Sequence, residues 1–215
     1  MAKTMNIDIK LLESDSQIRQ SILSVLKPQV DALVSKSVPK ISSMIKDSFK
    51  EALMNEPEYS SLKLGRLKYE FGLPQEVDVD DVVSIMSNSV NVDLVQSKIS
   101  NSGINIGIKI EVFEKSGEPA INSPNAFVTD SKGGYSLPWL EWLLLKGTAP
   151  IVKNYSVVLG PNKFSRTGMA LMVESNKNWR VPSEFAGSVS NNWASRALDK
   201  IEDKIQTQIA SIFQG

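Results

Sequence analysis

The sequence predicts an α+β chain with a long N-terminal amphipathic helical region, a small antiparallel β-sheet of about 3–5 strands, and a C-terminal amphipathic helix packed on that sheet. Three observations predict it. Apolar residues recur in threes and fours from Ile18 to Leu53, and again from Trp193 to Ile212, the spacing of a single helix face. Between these stretches Ile104, Ile106, Ile108, Ile110 and Val112 alternate with Asn105, Gly107, Lys109 and Glu111, the period of a strand with one buried and one wet face. At 215 residues the chain has room for a real core. A helical region over 1–100 and a sheet-bearing region over 101–215 are expected to form one structural unit.

The first helix begins with Ser14 and Gln17, which form a capping box. Its stripe runs through Ile18, Ile22, Val25, Leu26, Val30, Leu33, Val34, Val38, Ile41, Met44, Ile45, Phe49 and Leu53. Pro28 and Pro39 each delete a backbone donor and are expected to kink or split it into two or three pieces. Two arrangements remain open, a rod of ~57 Å at about 1.5 Å per residue that meets other subunits, or a hairpin folded into the core.

Pro57 starts a short helix through Leu62, Leu64, Leu67, Tyr69 and Phe71, stopped by Gly72 before Leu73 and Pro74. A further helix is expected over 78–95, its first turn carrying Asp78, Asp80 and Asp81 against the macrodipole. The same three carboxylates could seat a divalent cation, but the glycine and distal glutamate of a calcium loop are missing. Ser116, Gly117, Glu118 and Pro119 supply a turn after the Ile104–Val112 strand. Strands are expected at Ile151–Leu159 and Met169–Glu174, joined by Gly160-Pro161-Asn162 and the basic stretch Lys163–Arg166. Between the strands Pro138 opens an apolar helical turn rich in Trp139, Leu140, Trp142 and Leu143–Leu145. In the last helix Trp193, Ala197, Leu198, Ile201, Ile205, Ile209 and Ile212 share one face.

Composition narrows the function classes. There is no cysteine and no histidine, so disulfides, thiolate chemistry, Ser-His and Cys-His relays and imidazole ligation are closed. Charge balances at 24 basic and 24 acidic residues, unlike a dedicated nucleic-acid binder. No apolar run approaches a membrane span, and the first ten residues lack a signal-peptide core. No phosphate loop, nucleophile elbow or zinc spacing occurs. Ser35-Lys36 and Ser131-Lys132 are adjacent pairs that do not face each other on a helix, and Glu111 with Glu141 or Glu174 is the kind of carboxylate pairing any acidic chain offers. No cofactor and no metal ligand set is expected.

Local charge is uneven. Residues 56–100 are acidic and residues 150–196 basic. Either these are solvated surfaces, or they are complementary patches that meet head to tail between subunits.

The block Ser165-Arg166-Thr167-Gly168-Met169-Ala170-Leu171-Met172-Val173, followed by Trp179-Arg180-Val181-Pro182 and Trp193-Ala194-Ser195-Arg196-Ala197-Leu198, resembles a pattern in the tail-completion and neck (head-to-tail connector) proteins of long-tailed double-stranded DNA bacteriophages. In that family an Arg/Lys-Thr-Gly turn opens a strand, and an aromatic residue with Arg-Ala-Leu three positions on, as in Trp193 and Arg196-Ala197-Leu198, leads into the last helix. The stretches Leu67–Pro74 and Pro138–Trp142 are also similar to phage virion structural proteins. The resemblance covers about half of the chain. It implies a non-enzymatic subunit of a homo-oligomeric ring, a hexamer or else a dodecamer. Such a ring sits between the portal (connector) and the tail terminator or tail-tube proteins, assembles in the host cytoplasm, and has only transient contact with passing DNA. Trp139, Trp142, Trp179 and Trp193 are then packing or interface anchors, and Arg166, Thr167, Gly168, Arg180 and Arg196 form the turn and the ion-pairing donors. Two other readings stand beside it, a carboxylate- or metal-dependent hydrolase or nuclease, and a helical adaptor.

Overall fold

The computed structural model describes residues 14–100, 102–112, 118–129 and 134–214. The α+β class holds, with a long N-terminal helix, three two-stranded antiparallel sheets and a C-terminal helix. The strands do not merge into one sheet. The chain divides into two compact units, one of residues 1–40 and 92–110, the other of residues 41–91 and 111–215.

Helix α1, Asp15–Asn55, is one continuous helix of 41 residues, with Pro28 and Pro39 inside it. The expected split and the hairpin alternative are both corrected. Each proline removes one bond to the carbonyl four residues back, and here Pro28, Pro39 and the residues at those carbonyls, Ser24 and Ser35, are all exposed. Water can therefore satisfy the freed carbonyls. The capping box forms as the sequence predicts, Ser14 N–H donating to Gln17 Oε1 at 2.8 Å and Gln17 N–H to Ser14 Oγ at 3.4 Å.

In the first unit the N-terminal part of α1 accompanies a β-ribbon of β1, Val90–Ser100, and β2, Gly103–Val112. The helix expected through residue 95 ends at Asn88 instead. The hydroxyls of Ser84, Ser87 and Ser89 donate back to the carbonyls of Asp80, Ser84 and Met86, competing with helix propagation, and the β2 ladder then claims the β-branched residues that follow. Isoleucines of β2 are incompletely covered, Ile106 being 41% exposed, because a two-stranded ribbon has no second layer over both faces. The buried Ser97 hydroxyl lies by Asp31 without a well-formed hydrogen bond. Together with Lys27, 2.9 Å away, it holds the Asp31 carboxyl below its ordinary range.

The second unit holds the main core. After the end of α1 come α2, Pro57–Leu64, and α3, Arg66–Phe71, the latter closed by Gly72 at φ 65°, a left-handed position that glycine occupies without strain. Then α4, Val79–Asn88, is capped by Asp78, whose carboxylate accepts from the Asp80 and Asp81 amides. The short α5, Glu118–Ile121, and a 3-10 turn at Pro124–Ala126 lead to β3, Val128–Thr129, paired with β4, Ser136–Leu137. Helix α6, Trp139–Leu145, follows, then the hairpin of β5, Tyr155–Leu159, and β6, Ala170–Glu174, and finally α7, Trp193–Gln214. The turn at 116–117 lies outside the described residues. Ile41, Ile45, Phe49 and Leu53 of α1, Leu67, Met86, Leu140, Leu143 and the two indoles of Trp139 and Trp193 form the buried centre.

Candidate interaction surfaces

Three of the four tryptophans are enclosed by the chain itself. Trp139 and Trp193 are 0% exposed and Trp179 is 7% exposed, so of the packing and interface roles expected of them, these three take the packing role within the chain. Trp139 donates to the Asn125 carbonyl at 2.8 Å and Trp193 to the Leu53 carbonyl at 3.0 Å, each satisfying its buried N–H. Only Trp142 remains half-buried.

Arg196 is also engaged internally. Its guanidinium pairs with Glu58, a carboxylate that is fully buried on α2. One turn on, Lys200 reaches Glu56 at 2.6 Å, and Lys204 reaches Glu51 at 3.1 Å. A ladder of ion pairs thus ties α7 to the end of α1 and to α2. Part of the acidic 56–100 and basic 150–196 asymmetry is used within one chain, since Glu58 and Arg196 come from those two stretches. Arg66 shows the opposite pairing, donating to Glu70 at 2.5 Å and Glu184 at 2.7 Å, and Glu70 first, then Glu184, raises its pKa.

The aspartates of α4 resolve as structural groups. Asp80 accepts from Lys63 at 2.7 Å and Tyr59 at 2.6 Å, and Asp81 accepts from Asn125 at 2.9 Å. Lys63 and then Tyr59 hold the Asp80 carboxyl below its ordinary range. Among the described residues, no group of three or more carboxylates converges as a metal site. Glu141 is paired with Lys146 at 2.7 Å. Ser131-Lys132 lies outside the described residues.

The Arg166-Thr167-Gly168 turn closes the β5–β6 hairpin. Gly168 has φ 76°, the Ser165 and Thr167 hydroxyls lie 3.2 Å apart, and the Ala170 amide donates to Ser165 Oγ at 3.2 Å. This turn forms one rim of a cleft of about 290 Å³ whose walls include Phe71, Leu137, Val157, Met172 and Trp179, with Arg166 and Glu70 as its charged groups. The Phe71 ring lies 6.2 Å from both Trp139, tilted against it, and Trp179, edge-on to it. Trp179 Nε1 is buried and has no acceptor among the described residues. A second, more polar cleft of about 490 Å³ shares Trp179, Glu70 and Val157 with the first and includes exposed Arg180, Lys177 and Arg66. The structure therefore brings Arg166 and Trp179 together in one cleft, puts Arg180 in the neighbouring cleft that shares Trp179, and leaves Trp142, Trp193 and Arg196 elsewhere.

Two apolar surfaces complete the picture. On the β5–β6 hairpin Val158 is 54% exposed, Leu159 47%, Phe164 79% and Met172 40%. On α1 Ile22 is 54% exposed, Val25 68%, Leu26 42% and Leu33 57%. The sequence contained the α1 signal but merged two faces into one stripe.

No protein-family model matches the chain, and searches of curated proteins and of solved structures return no match. Among the described residues, no helix is long and apolar enough to cross a membrane.

Proposed function

We propose that this chain is a non-enzymatic structural subunit of a bacteriophage neck, forming a homo-oligomeric ring that joins the portal to the tail and lets genomic DNA pass. The observation that carries the reading is the amount of ordered apolar surface left uncovered, grouped on one face of α1 and on the β5–β6 hairpin. Contiguous exposed apolar faces on a folded chain mark contact sites. Their location fits the resemblance, because the hairpin is closed by the Arg166-Thr167-Gly168 turn that the family pattern contains. Exposed Arg180, beside Lys177 in the polar cleft, supplies a basic patch for the acidic edge of a neighbour.

The test is imaging of the purified full chain by negative stain and mass photometry, alone and with portal rings. Closed rings, or chains captured on the portal, are expected. A monomer at every concentration that the portal does not retain would overturn the proposal. The helical-adaptor reading uses the same α1 surface, and it predicts a monomer that binds one partner through α1 alone. Deleting residues 1–55 cannot separate the two, since Ile41, Ile45, Phe49 and Leu53 are wholly buried and the deletion would unfold the core.

A further inference from the structure

Helix α1 carries two apolar faces. At about 3.6 residues per turn, Val30, Val34, Val38 and Ile41 share one side, and Ile18, Ile22, Val25, Leu26 and Leu33 share another, about 120° away. The first side is covered by the chain, Val34 being 2% exposed and Ile41 0%. On the second, Ile22, Val25, Leu26 and Leu33 are exposed and Ile18 is half-buried. Pro28 and Pro39 fall on neither side, so neither proline breaks into the second face, a seam whose apolar run includes one polar residue, Gln29.

The charges at the ends of this seam identify its occupant. Asp15 lies on the seam at the helix start, and Lys36 lies on it two turns beyond Pro28. Both are exposed, and neither is ion-paired among the described residues. We propose that the seam binds a second copy of itself in antiparallel orientation, centred between Val25 and Leu26. In that register Ile18 faces the second copy's Leu33, Ile22 faces its Gln29, Val25 faces its Leu26, and Asp15 faces its Lys36. The apolar pairs form the middle and opposite charges close both ends. A parallel pair would set Asp15 against Asp15 and Lys36 against Lys36, which like-charge repulsion disfavours. Antiparallel alignment also opposes the two helix dipoles favourably.

This contact is two-fold and isologous, unlike the head-to-tail contacts that close a ring, so it goes beyond the neck proposal by giving the α1 face a partner of its own and leaving the β5–β6 hairpin for the ring contacts. A contact about 32 Å long, at about 1.5 Å per residue, is at the small end of stable interfaces. Self-association is therefore read by sedimentation over a wide range of protein concentration.

Because the chain has no cysteine, disulfide mapping is unambiguous. Ile18→Cys and Leu33→Cys full-length chains, each oxidised alone and as an equimolar mixture, should give a covalent dimer only when the mixture is oxidised. Val25→Asp with Leu33→Asp should raise the dimer dissociation constant by more than about tenfold while circular dichroism stays unchanged, since both side chains are exposed. Lys36→Asp should weaken the dimer, and Asp15→Lys added to it should restore it. Cross-links within either single-cysteine chain alone would overturn the antiparallel register. A chain that stays monomeric in sedimentation, or that dimerises equally well with both aspartates in the seam, would overturn the second copy as occupant. Rings that form normally in the Val25→Asp, Leu33→Asp variant would leave the neck proposal standing while the seam dimer is lost.

Discussion

At the residue scale the chain's most consequential charge is Glu58, fully buried and held by Arg196. Removing one partner of a buried pair strands the other charge, whereas replacing both with apolar groups is often neutral or favourable. Arg196→Met should therefore lower unfolding free energy by about 3 kcal/mol, and adding Glu58→Leu should recover most of the loss, both measured by urea denaturation. Asp80 makes the milder case. Its carboxyl is held below the ordinary 3.8 by Lys63 and Tyr59, so its contribution is complete above about pH 4 and is lost as pH falls through the depressed folded value. Because the Asp80 and Lys63 side chains are 50% and 38% exposed, the pair contributes at most about 1 kcal/mol. Asp80→Asn should show that small deficit at pH 7, and the deficit should shrink as pH falls below about 4.

Among the elements, α1 contains the least expected continuity. A proline in a helix interior costs about 3 kcal/mol relative to alanine, yet both prolines sit in α1 without ending it. Pro28→Ala should slow amide exchange in the turn around residues 24–32, and a helix actually broken at Pro28 would show no such gain. The short α3 depends on the left-handed Gly72 that stops it. Gly72→Ala should destabilise by about 1 kcal/mol. The boundary of α4 was legible at its start, where Asp78 forms the cap, and illegible at its end. Val90 to Val95 reads equally well as helix or strand until the β2 partner is present.

For the whole molecule the neck proposal turns on which charges are left after the chain has satisfied itself. Glu56, Glu58 and Arg196 are internal, and Arg180 remains exposed. Arg180→Glu should block ring closure in imaging, and reversing an exposed acid such as Glu76→Lys on the neighbouring surface should partly restore it. Intact rings in Arg180→Glu would remove head-to-tail charge pairing from the account. Replacing Val34 or Ile41 by Asp would not test assembly, because those side chains support their own unit's core.

Local chemistry fixed what the sequence alone determined. The capping box at Ser14 and Gln17, the Asp78 cap, the glycine stop at 72, the proline starts at 57 and 138, the β5–β6 hairpin and α7 each follow from a few neighbouring residues whose backbone preferences need no distant partner. Tertiary structure alone decided the rest, because burial and pairing depend on residues far apart in the chain. It sorted the α1 stripe into a covered face and an open one, and drew Trp139, Trp179 and Trp193 into the core. It also joined Arg196 to Glu58 across 138 positions and placed Arg166 beside Trp179. Periodicity tells which residues share a side of a helix, but only the packing around that helix determines which side meets water.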